Sequence, residues 1–214
     1  MKYLFIDASE NKTFIQTGNP ENFRFFEFDT RRNLGARITS LVDSALEEVS
    51  IRKSELELYA VCTGPGSLTG LRVANSFLRT SSFVADKPLI GVDLFSWAAM
   101  TLKASGLSEE VRIMAPTLID KAFALVVDLS RNLDNFIPQP ELINDRQPAK
   151  GLKNFGIRWQ SEGIEAVSPS PQVLHQMIQS RQIRPKNDFS ETLKVLPFYI
   201  IPSQAERKLQ EKEC

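Results

Sequence analysis

An α/β architecture with a partly parallel sheet is predicted by three observations. Short apolar runs recur as strands from the N-terminus onward. After the third of them, strands alternate with stretches whose apolar residues return at the helical period. The links between them are short and rich in Gly and Pro. Strands separated by helices lie side by side in parallel, because a helical crossover brings the chain back in the same direction.

The elements follow in order. Tyr3 to Ala8 is an apolar run closed by Asp7-Ala8-Ser9, a buried strand ending in a turn. Lys12 to Thr17 and Asn22 to Phe28 continue it as a meander, with a turn at Gly18-Asn19-Pro20. Asn33 to Ser50 is a helix, with Leu34, Ile38, Leu41, Val42, Ala45 and Val49 on one stripe and Asn33 placed to cap it. Leu58 to Cys62 is a buried strand, and Thr63 to Gly70 a loop. Leu71 to Ala85 is a helix rich in small residues, among them Ala74, Ser76, Ser81 and Ser82. Pro88 to Val92 is a strand, and Phe95 to Ala104 a helix stopped by Gly106. Arg112 to Leu118 and Phe123 to Leu129 then pair around Asp120-Lys121, so the meander theme restarts near residue 111. Residues 132–151 are polar and contain Pro. Later pieces are short: Leu152 to Gly156, Ile164 to Val167, a helix over Pro171 to Arg181, an apolar run over Val195 to Ile201, and a charged tail.

Composition excludes several functions. The chain has 214 residues, enough to bury a real core. It carries 26 Lys+Arg, 26 Asp+Glu, one His and two Cys. Cys62, His175 and Cys214 are far apart, too few and too scattered for a zinc site, and two Cys make no disulfide framework. A formal net charge of zero argues against a large autonomous grip on nucleic acid. No run reaches the ~18 apolar residues of a membrane span. The start is too short and too acidic for a signal sequence, so a cytoplasmic protein is expected.

Gly64-Pro65-Gly66-Ser67-Leu68-Thr69-Gly70-Leu71-Arg72 carries the most chemistry. It joins a strand to a helix and has the parts of an anion cradle. The glycines permit close backbone approach, Ser67 and Thr69 bring hydroxyls, the helix start brings free N–H groups, and Arg72 brings charge. It is neither a Walker A loop nor a GxGxxG fingerprint. The alternative is a tight turn whose Ser67 or Thr69 caps the helix. Asp7 and Ser9 end the first strand, and strand ends of a parallel sheet converge on one crevice, so Asp7 can face this loop. As plain turn residues they have no such role.

The pairing of Leu4-Phe5-Ile6-Asp7-Ala8-Ser9 with Thr63-Gly64-Pro65-Gly66-Ser67-Leu68-Thr69-Gly70-Leu71-Arg72 resembles the bacterial TsaB (YeaZ) family, also called glycoprotease-like or peptidase M22-like. Lys87 to Val92, Asp120-Lys121 and Pro197 to Ile200 match further family segments in the right order. The resemblance implies an actin-like, Hsp70-like ATPase (ribonuclease H-like) fold of two related lobes, 1–108 and 109–214, the second smaller and divergent. It implies a non-catalytic subunit that supports the catalytic homologue TsaD in making threonylcarbamoyladenosine on tRNA, together with the ATPase TsaE. TsaC supplies threonylcarbamoyl-adenylate.

By the same resemblance no cofactor is required, with ATP or ADP possible at the complex interface. The nucleotide-binding candidates are Asp7, Ser9, Gly64, Gly66, Ser67, Thr69, Gly70 and Arg72. The partner-binding candidates, on two helices that pair with TsaD or with a second copy, are Ile38, Leu41, Ala45, Ala74, Leu78, Ser81 and Ser82. Contact with tRNA is indirect. No catalytic or metal residue is expected, since the first helix lacks the paired His of the catalytic homologue.

The chain departs from the family at Arg32-Asn33, where many members have His-Ser, at Phe123-Ala124, at Ile200-Ile201, and at Leu68 in place of Phe. The competing reading is a nucleotide-binding ATPase or phosphotransferase of the same fold. It needs carboxylates at two strand ends, with Asp7 and Asp120 as candidates. A metallopeptidase lacks ligands.

Overall fold

The structure is a computed structural model that describes residues 1–31, 33–117, 121–134, 136–180 and 194–197. Strands β1 (Tyr3–Asp7), β2 (Lys12–Gly18) and β3 (Phe23–Asp29) form an antiparallel meander. Helix α1 (Leu34–Glu48), strand β4 (Leu58–Gly64), helix α2 (Leu68–Ala85) and strand β5 (Leu89–Asp93) follow. β4 lies parallel to β1, and β5 parallel to β4, giving a five-stranded sheet of order β3-β2-β1-β4-β5. The register puts Tyr3 opposite Leu58 and Ile6 opposite Val61, so Asp7 falls at the open end of β1.

Helix α3 (Leu94–Ala104) leads to a second sheet of β6 (Glu110–Pro116), β7 (Ala122–Asp128), β8 (Glu141–Ile143), β9 (Lys153–Ile157) and β10 (Glu165–Val167), followed by α4 (Pro171–Ser180). Its order is β10-β9-β6-β7-β8. β6, β7 and β8 are antiparallel, β9 runs parallel to β6, and β10 parallel to β9. Both sheets therefore have one topology: a meander, then two parallel strands on the far side of its first strand.

Two cores hold this together. One face of the first sheet (Leu4, Ile6, Tyr59, Val61) packs under the apolar stripes of α1 and α2. Its other face (Tyr3, Phe5, Leu58, Ala60) meets α3, α4 and the second sheet in one continuous cluster. Phe5 and Trp97 pack edge to face inside it, with ring centroids 5.5 Å apart. Trp97 Nε1 donates to the Ser170 carbonyl at 2.8 Å, so the buried indole is satisfied.

Several sequence expectations shift. α2 begins at Leu68, not Leu71, because Ser67 caps it: the Ser67 hydroxyl accepts the Gly70 N–H at 3.3 Å. Asn33 occupies the cap position of α1 but its side chain makes no cap hydrogen bond. A strand, β8, lies inside the polar stretch 132–151 where none was expected. The turn residue Asp120, the charged tail and most of the run Val195 to Ile201 lie outside the described residues.

Candidate functional site

The ends of β1 and β4 form the predicted crevice, and the residues around it are fixed by close backbone packing. The chain leaves β4 through Gly64, at φ 101°, and a cis Gly64–Pro65 bond. A Cβ on Gly66 would lie 2.3 Å from the Ser9 carbonyl oxygen, and one on Gly70 2.1 Å from the Ala8 carbonyl oxygen. Only glycine lets the α2 start rest on the β1 turn at that distance. The Ser67 N–H donates to the Ser9 carbonyl at 2.6 Å. The hollow that a Gly-rich loop offers a phosphate is thus filled by residues 8 and 9 of the chain itself.

Asp7 is fully buried. Its Oδ1 accepts the Ser9 N–H at 2.9 Å, and its Oδ2 accepts from Arg158 Nη2 at 2.7 Å. Arg158 Nη1 reaches Ser9 Oγ and Glu10 Oε1, each at 3.4 Å. The guanidinium lies 4.4 Å from the Phe14 ring centroid and 5.7 Å from that of Trp97. Arg158 holds this place from a left-handed backbone, φ 52°, a strain on the order of 1 kcal/mol or more for a non-glycine residue. Its N–H donates to the Val167 carbonyl at 2.8 Å, which keeps the turn after β9 in place.

This neighbourhood perturbs nearby groups. Burial pushes the Cys62 thiol well up, and the Asp7 carboxylate adds to it. Burial also raises the Glu10 carboxyl, against the pull of Arg158. His175 is a satisfied core histidine: the Tyr3 hydroxyl, which accepts from Gln16 Nε2 at 2.7 Å, lies 3.0 Å from its Nδ1, and Phe23 stacks on the ring. Among the described residues no group of three or more His, Cys, Asp and Glu is arranged to hold a metal ion.

The sequence candidates thus divide. Asp7, Ser9, Gly64, Gly66, Ser67 and Gly70 are brought together, as expected. Thr69 and Arg72 are exposed on the first turn of α2. In this arrangement the backbone of residues 8 and 9 lies against Gly66 and Gly70, and a guanidinium faces Asp7. Arg158 is the functional residue that sequence reasoning missed. It lies 151 residues from Asp7 in a stretch without periodicity, and no local signal points to it.

The helical candidates need correction. Ile38, Leu41, Ala45, Ala74, Leu78 and Ser82 are buried in the chain's own structure, and only Ser81 of that set is partly exposed. The stripe that repeats at the helical period is the one the sheet buries. Accessible apolar surface lies beside it: Val84 is 79% exposed and lines a groove of about 290 Å³ between α1 and α2, with Val42, Leu46, Phe77 and Ser81. A large apolar residue lying off the stripe was the readable signal.

Fold and crevice define the class, an actin-like α/β protein built on two sheets of one topology. More particularly, its structural relatives are YeaZ proteins, in agreement with the resemblance carried by the Gly64 to Gly70 loop. YeaZ from Pseudomonas aeruginosa matches with a TM-score of 0.67 over 93% of this chain and 100% of that one, at 16% identity. A second solved structure, an uncharacterized protein with similarity to peptidase YEAZ from Pseudomonas aeruginosa, matches with a TM-score of 0.68 over 94% of this chain and 99% of that one, also at 16% identity. Residues 29–115 match the model of the family described as TsaD: tRNA N6-adenosine threonylcarbamoyltransferase. A curated tRNA N6-adenosine threonylcarbamoyltransferase of Chlorobium phaeobacteroides (strain BS1) is 38% identical over 56 residues, 26% of this chain and 16% of that protein. The match thus covers only 16–17% of the length of the curated relatives.

Proposed function

We propose that this chain is a non-catalytic partner subunit of a TsaD homologue in the threonylcarbamoyladenosine modification of tRNA. The observation that carries the reading is the state of Asp7. The carboxylate at the end of β1 is buried, bonded through both oxygens and neutralised by Arg158, so it has no free role toward a metal–nucleotide. The same observation weighs against the competing ATPase or phosphotransferase reading.

The likeness to YeaZ in fold and the match of residues 29–115 to the TsaD family support a place in that modification system. The matched segment contains α1 and α2, and the exposed Val84, with Phe77 and Ser81 in the groove between the two helices, supplies an apolar face for a partner helix. In this reading the TsaD homologue docks there, and a second copy of the chain takes its place when TsaD is absent. TsaE acts on the assembled pair, any ATP or ADP sits between subunits, and tRNA is bound mainly by the partners.

The test is reconstitution of tRNA modification with and without this subunit. The yield is expected to collapse without it; an unchanged yield overturns the reading. Val84→Asp is expected to weaken co-elution with the TsaD homologue roughly tenfold or more, since it places a charge in the apolar centre of the interface. The isolated chain is expected to hydrolyse no ATP above background.

A further inference from the structure

We propose that Arg158 is a built-in cationic ligand for the strand-end crevice. Its guanidinium pins the ends of β1 and β9 and fixes the two sheets against each other. This does not rest on the partner-subunit reading.

The geometry has the features of a ligand site rather than of a chance ion pair. Four elements converge on one planar group: the carboxylate of Asp7 at the end of β1, Ser9 and Glu10 in the turn after it, the ring of Phe14 on β2, and the ring of Trp97 on α3. The arginine side chain is only 12% exposed and the Asp7 side chain is fully buried. Asp7 would therefore be an uncompensated buried charge without its partner. A planar fork that bonds several acceptors while lying against aromatic faces suits guanidinium and not ammonium.

The backbone presents the group. In the first sheet the two parallel strands β4 and β5 are joined through helix α2. In the second, β9 and β10 are joined by residues 158–164 alone, with two small bridges, Trp159 back to Gly156 of β9 and Ser161 with Ile164. With no helix between β9 and β10, the first residue after β9 is free to extend into the crevice, and that residue is Arg158. Its left-handed φ and its N–H bond to Val167 aim the side chain before any contact with Asp7.

Chemical rescue of thermal unfolding, measured on the isolated full chain, tests the proposal. Arg158→Ala is expected to melt roughly 10 °C below the wild type, the scale of removing one partner of a buried pair. Methylguanidinium at about 10 mM is expected to recover several degrees saturably, as a ligand that binds only the folded state does. Methylammonium at the same concentration is expected to recover none, and Arg158→Lys to stay destabilised. In Arg158→Ala combined with Asp7→Asn, which vacates the crevice but lacks the carboxylate, methylguanidinium is expected to give no recovery.

If Arg158→Ala does not fold, the same two additives are compared for the soluble, folded fraction recovered on refolding. The proposal is overturned if Arg158→Ala melts with the wild type. It is equally overturned if methylguanidinium does no better than methylammonium, or if rescue persists when Asp7→Asn is added to Arg158→Ala.

Discussion

The two sheets share a strand order but not a set of helices. The first carries α1 and α2 across its outer face and buries Leu4, Ile6, Ile15, Tyr59 and Val61 beneath them. Among the described residues the outer face of the second is covered by loops alone, and its cluster there is Met114, Ala124 and Ile164 with Ile143 and Trp159. Strand order is set by the meander and the parallel crossings, whereas the covering layer can be replaced by a short turn if the strands beneath have small or polar outer residues. Gly156 shows how: the Trp159 carbonyl packs where a Cβ would lie, at 2.3 Å. The sheet with α1 and α2 on its outer face also carries the apolar groove between them. The other, with no helix on its outer face among the described residues, supplies Arg158.

The comparison can be broken by mutation, starting with the largest effect. Leu78→Ala removes a fully buried side chain from under α2 and is expected to cost about 3–5 kcal/mol in denaturant unfolding. Ile164→Ala, in the small loop-covered cluster, is expected to cost nearer ~2 kcal/mol, because loops collapse onto a cavity more readily than a helix does. Equal costs would mean that the loop layer packs as rigidly as the helices.

A second test lies at His175, where α4 meets the first sheet. Its folded-state pKa is lowered below 6.5 mainly by burial, with the Met1 ammonium adding to the effect and a backbone bond at Pro20 opposing it. The unfolded chain therefore binds the proton first as pH falls. Stability is expected to be full above the unfolded value of 6.5, to fall as pH drops from there toward the lowered folded value, and to stay level below it. Replacing His175 by Asn is expected to flatten that part of the melting-temperature profile; an unchanged profile would assign the dependence elsewhere.

The smallest effect is expected at Gly35 in the first turn of α1, where a Cβ would meet nothing within 4 Å. Gly35→Ala is expected to stabilise by about 0.5 kcal/mol through lower chain entropy in the unfolded state. A loss in the same melting assay would show that α1 is strained at its start.

The legible part of the molecule was the local part. β1 announced itself by an apolar run, β2 and β3 by partial alternation and turn residues, and α1 by its stripe, whereas the start of α2 was expected three residues late, at Leu71. β8 was not legible, since Glu141-Leu142-Ile143 is three residues with no buried pattern. Within the site, Asp7 and the glycines could be found from their positions at strand ends. Arg158 could not, because nothing in Gly156-Ile157-Arg158-Trp159 distinguishes it from a surface arginine.

By itself the sequence determined the strand–helix order, the restart of the meander, and a Gly-rich turn against an Asp at the first strand end. These are written in periods of two and 3.6 residues and in turn chemistry, all local. Only the tertiary structure decided which face of each helix is spoken for and what meets Asp7. Arg158 meets Asp7 across 151 residues, and a helix stripe reads the same whether its own sheet or another protein covers it.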